Sequence, residues 1–122
     1  MIQADIFTKA IAAHSSWKAR LRAAINNGKS DVSPSQVKVD NQCEFGKWLY
    51  GTELSPAEKQ TENYRAVKQL HAQFHAEAAK VLDAALTGHK DMAEHSLGIG
   101  GECAKIATAL TQATMKWRDS VH

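Results

Sequence analysis

Residues 55–88 read SPAEKQTENYRAVKQLHAQFHAEAAKVLDAALTG. Tyr64, Val67, His71, Phe74, Ala78, Val81 and Ala85 recur at steps of three and four, the spacing of one helix face, and Leu70, Leu82 and Leu86 widen that stripe. Ser55 can cap, Pro56 suits a first helical position and Glu58 completes a capping box, while Gly88 offers a stop. The segment predicts one amphipathic helix from this start to about Thr87, roughly 45 Å long.

Helical patterns flank it on both sides. From about Gln3 to Asn27, Phe7, Ile11, His14, Leu21 and Ile25 fall near one heptad stripe, with Trp17 and Ala24 beside it and Gly28 after it. From about Lys90 to Val121 a second stripe runs through Met92, Ser96, Ile99, Cys103, Ile106, Leu110, Ala113 and Trp117. Gly98, Gly100 and Gly101 should weaken that helix locally. Residues 29–42 read as a polar loop around Pro34, and residues 43–51, CEFGKWLYG, allow only one or two helical turns. Alternating strand patterns are nearly absent. The expected fold is all-α: an elongated antiparallel bundle of three long helices plus a short helix after Cys43, one domain over residues 1–122. So thin a core predicts an apolar face, Trp117 included, covered by a second copy of the chain in a homodimer.

Composition narrows the function. The 122 residues are 43% hydrophobic and 23% charged, ordinary for a globular domain, with a formal net charge of +2. No basic stripe with interleaved aromatics appears, so nucleic acid is not implied. No apolar run reaches membrane-spanning length, and the N-terminus lacks a signal-peptide layout, so a cytoplasmic location without membrane insertion is expected. Cys43 and Cys103 are too few for a disulfide framework. No phosphate loop, nucleophile elbow or paired acid and base is present, and no enzyme is expected.

The His and Cys residues are more informative. His71 and His75 stand four apart on one helix face, where both imidazoles can meet one ion. A solvated pair has the same spacing, but His71 falls between Val67 and Phe74 on the apolar stripe. His14 lies on the stripe of the first helix, three residues before Trp17, and a core histidine bonded to a carbonyl would look alike. Cys43 opens the short aromatic segment of Phe45, Trp48 and Tyr50. Three imidazoles and one thiolate form a closed tetrahedral set for zinc, and the thiolate is its one oxidisable member. Cys103 fits the last stripe as a core residue, and His89 and His95 read as exposed.

The segments His14-Ser-Ser-Trp17-Lys18, Cys43-Glu-Phe45-Gly46-Lys-Trp48-Leu49 and His71-Ala-Gln-Phe-His75, in this order, resemble the chemoreceptor zinc-binding domain family, and the resemblance covers nearly the whole chain. It implies a helical bundle with zinc held by His14, Cys43, His71 and His75, around which Trp17, Phe45 and Trp48 would pack. It also implies a regulatory role beside a chemoreceptor or a diguanylate cyclase, a tendency to homodimerise, and a response to zinc level or to oxidation of Cys43. The expectation is a zinc-binding sensory module for signal transduction. The alternatives are a zinc staple that only stabilises a dimerisation module, a metal-dependent hydrolase with an open coordination position, and an iron or haem carrier.

Overall fold

The computed structural model describes residues 4–30, 33–39 and 44–121; Cys43, His122, the predicted helix start at Gln3 with the two residues before it, and residues 31–32 and 40–42 of the predicted loop lie outside them. All regular structure among the described residues is helical. Helix α4, Glu62–Leu86, is the centre of the packing and meets α1 (Ala4–Asn27), α2 (Pro34–Lys38), α5 (Lys90–Leu97) and α6 (Glu102–Val121). All seven residues of its main stripe, from Tyr64 to Ala85, are buried.

The long helix starts later than its sequence suggests. The capping box at Ser55 forms: the Ser55 N–H donates to Glu58 Oε1 at 2.8 Å, and the Glu58 N–H donates to Ser55 Oγ at 3.2 Å. It caps only a single 3₁₀ turn, Glu58–Gln60. Thr61 is extended at ψ 151° and caps afresh, its hydroxyl accepting from the Tyr64 N–H at 3.3 Å. An extended residue cannot carry the helix through, so α4 is 25 residues, about 37 Å, rather than 45.

Helix α1 turns Phe7, Ala10, His14, Leu21, Ala24 and Ile25 inward, with Ala10 in place of the predicted Ile11. It ends at Gly28, whose φ of +69° suits glycine and whose N–H bonds the Ala24 carbonyl at 2.8 Å. The predicted polar loop contains α2. Ser33 and Gln36 form a complete capping box with Pro34 at its start, the same signal read at Ser55, and Val37 is buried.

Helix α3, Glu44–Tyr50, buries Phe45 and Leu49. Two bonds pin its C-terminal end: the Tyr64 hydroxyl donates to the Leu49 carbonyl at 2.8 Å, and Lys59 Nζ donates to the Gly51 carbonyl at 2.7 Å.

The predicted last helix is two. A Cβ at Gly101 would run into the His95 and Ser96 carbonyls, and Gly100 takes φ +82°, so the chain turns at Gly98–Gly101 instead of continuing. The break moves the stripe in α5 to Ala93 and Leu97 and leaves Met92 and Ile99 exposed. Cys103, Leu110 and Trp117 resume it in α6, as expected, with Thr114 also buried. Trp117 is not uncovered surface. It is 2% exposed, with ring contacts to Phe7 at 5.1 Å, Trp48 at 5.3 Å and Tyr64 at 5.8 Å.

Candidate metal centre

His14 reaches the centre of the bundle from α1, and His71 and His75 reach it from consecutive turns of α4. All three are buried, His71 completely, and one nitrogen from each lies within 4.8 Å of the others. The ring centroids of His71 and His75 are 4.5 Å apart, and that of His14 is 5.1 Å from His71 and 6.4 Å from His75. Helical periodicity brings the α4 pair together; the packing of α1 on α4 adds the third.

The orientation of His75 is set from outside the cluster. Its Nδ1 lies 2.8 Å from the Val37 carbonyl, which only accepts, so Nδ1 carries the proton and Nε2 offers a lone pair. That Nε2 lies 3.2 Å from His71 Nε2. Zinc–nitrogen distances place two ligands of a tetrahedron about 3.3 Å apart, so the pair already has the required spacing. The buried Nε2 of His14 has no hydrogen-bond partner among the described residues. A buried nitrogen left this way costs stability unless something fills the position, and a cation does so. The donor set therefore fits zinc.

Burial keeps His14 and His71 neutral. It lowers His14 to a pKa of about 4 and His71 to about 3, with the neighbouring imidazoles adding repulsion. Neutral imidazole is the metal-binding form. The unfolded chain takes up protons below about pH 6.5, while the folded chain refuses them until 4 or lower. Acid therefore favours unfolding throughout that window, by up to about 1.4 kcal/mol per pH unit for each imidazole. Metal-free protein should show a denaturation midpoint that falls steadily from about pH 6.5 to 4; a flat midpoint there would contradict the burial of neutral histidines.

Aromatic rings close the cluster. Phe45 meets His14 at 5.7 Å and His71 at 5.3 Å. Trp48 lies one layer out, stacked on Phe45 at 5.5 Å. Trp17 makes no ring contact with the imidazoles. It is half-buried beneath the Arg20 guanidinium at 4.2 Å, and it lines a small cavity with His14 and Phe45. Two neighbours were not singled out in the sequence: Phe74, 5.3 Å from His14, and the Val37 carbonyl. The signal for Phe74 was its place beside His75 on the stripe; that for Val37 was the Ser33 capping box.

A family model described as the chemoreceptor zinc-binding domain matches residues 14–82. The chain belongs to this family. The matched span starts at His14 itself and covers His71, His75 and all of α2 and α3, leaving the start of α1, the end of α4 and all of α5 and α6 outside it. No curated protein and no solved structure matches. The family's metal is zinc, and in this chemoreceptor zinc-binding domain three histidines are placed to hold it. No described helix is long and apolar enough to cross a membrane.

Proposed function

We propose that this domain is a non-enzymatic sensory module in which His14, His71, His75 and Cys43 hold one zinc ion and the Cys43 segment relays the metal's state. The convergence of three buried imidazoles from two helices carries this reading. Cys43 immediately precedes α3, whose Phe45 ring already touches two of the three histidines. Four protein ligands would leave no open position for hydrolysis. When bound, zinc would fix α1, α4 and the segment before α3 together and hold Cys43 as a thiolate.

Oxidation is the proposed signal beside zinc level itself. The Cys43 thiolate attacks one peroxide oxygen, the O–O bond breaks, hydroxide leaves and the sulfur becomes a sulfenic acid, a much poorer metal ligand. Cys103 cannot compete: burial, with Glu77 nearby, pushes its thiol up to about 11, so it stays protonated at neutral pH. Stoichiometric peroxide should modify Cys43 ahead of Cys103, with zinc release and a change in tryptophan fluorescence. Cys103 reacting first, or Cys43 reacting silently, would leave the ion as a structural staple only. The anchoring of α3 supports that second reading in part. Phe45, Leu49 and the Tyr64 hydroxyl hold the helix without the ion, so the segment before it is what release sets free.

The proposed setting is cytoplasmic, with a chemoreceptor or diguanylate cyclase as output. Homodimerisation is the family tendency that the resemblance implies, and Met92, Ile99 and Met115 are exposed apolar side chains available to it. Light scattering at micromolar concentration should give twice the mass of the chain; a monomer there would remove the dimer from the proposal.

A further inference from the structure

Beside His14, residues of α1, α4, α5 and α6 line a cavity of about 410 Å³. Its volume lies within the ~300–1,000 Å³ usual for small-molecule sites. The floor is apolar and buried, formed by Leu21, Phe74, Leu97 and the protonated thiol of Cys103. The rim is polar and exposed, with Lys18, Thr108 and Gln112. At the rim the cavity continues into a more open hollow that shares these three residues and adds Lys105.

The charge of this mouth has one sign. Lys18 and Lys105 line it, no carboxylate does, and neither lysine has an ion pair among the described residues. The acid that acts on Cys103, Glu77, is bonded to Lys80 at 3.0 Å. A buried apolar floor beneath a cationic rim with hydroxyl and amide donors is complementary to an alkyl chain that ends in an anion.

We propose that this cavity binds small amphipathic carboxylates, with the chain over Leu21, Phe74, Leu97 and Cys103 and the head group at Lys18. The site is distinct from the metal reading. It shares the His14 wall, and the Phe74 ring packed against it, with the histidine cluster, so zinc-loaded protein is the form to test.

Calorimetric titration with decanoate should give saturable binding of one molecule per chain, below the concentration at which decanoate self-associates. Decanol and decyltrimethylammonium, which keep the chain and lose the negative head, should bind at least about tenfold more weakly. Lys18→Gln, at an exposed position that leaves the core untouched, should weaken decanoate about tenfold and leave decanol unchanged. Ala107→Phe, which fills the cavity, should abolish decanoate binding while helicity is kept; should that variant not fold, Lys18→Gln alone decides. Absence of saturable binding, equal affinity for the cationic amphiphile, or an unchanged decanoate affinity in Lys18→Gln overturns the proposal. So does decanoate-independent self-association that Ala107→Phe prevents, which would make a second copy of the chain the occupant.

Discussion

His71→Ala should purify without stoichiometric zinc and melt more than about 10 °C below the wild type. Two losses combine. The imidazole is completely buried at the centre of the bundle, so its removal leaves a cavity among Phe45, His14 and His75. It also leaves two imidazoles on different helices, and a closed tetrahedral site does not tolerate the loss of a ligand well. Zinc binding in such domains is folding free energy, so the metal's contribution to stability disappears with it. Elemental analysis and thermal unfolding of His71→Ala and His14→Ala, with Cys43→Ser alongside, check the assignment. Zinc retained at one per chain in both histidine variants would remove these residues from the site. The cavity alone would then account for any change in melting temperature.

Trp117→Ala should cost about 3–5 kcal/mol of unfolding free energy without changing zinc content. The ring is almost wholly buried and sits where α6, α1, α3 and α4 meet, against Phe7, Trp48 and Tyr64. Edge-on and tilted contacts of this kind add to the burial itself. The variant separates packing from ligation: Trp48 stacks on Phe45, but the imidazoles stand one layer further in. Denaturant titration and elemental analysis on the same preparation measure both. A loss below about 1 kcal/mol would show that the aromatic cluster does not support the fold as its burial indicates.

The helices were legible where one period ran unbroken. Tyr64 to Ala85 is such a run, and the residues it places inward are inward. Legibility failed where short-range geometry overrode the period. Thr61 competes with Ser55 for the same helix start, and the nearer cap wins because its extended backbone stops anything upstream from propagating. At Gly98–Gly101 the glycines do more than weaken a helix; the close approach of the His95 carbonyl excludes a side chain, and Met92 and Ile99 turn outward. Trp117 was misplaced because aromatic size suggests surface in excess, whereas four elements share its burial, a fact of tertiary packing that spacing along one helix does not contain.

For the site, the i and i+4 pair of His71 and His75 could be read directly, since one helix brings them together. His14 could be named from its stripe, but its approach to that pair depends on how α1 meets α4. The Ser33 capping box marks a short helix around Val37, but residue type does not tell which backbone carbonyl faces His75.

His14 and His71 stand fifty-seven positions apart in the chain, yet their rings meet in the core. An ion shared between them closes a loop of that length, and the cost of closing it falls on the unfolded ensemble, which loses the freedom it would otherwise have. A permanent cross-link over such a span is worth about 4 kcal/mol by chain entropy alone. Unlike a disulfide, this cross-link can be undone by chelation without breaking a covalent bond in the chain. The domain's stability would then follow the free zinc concentration around it, a graded thermodynamic reading of the metal that needs no moving part.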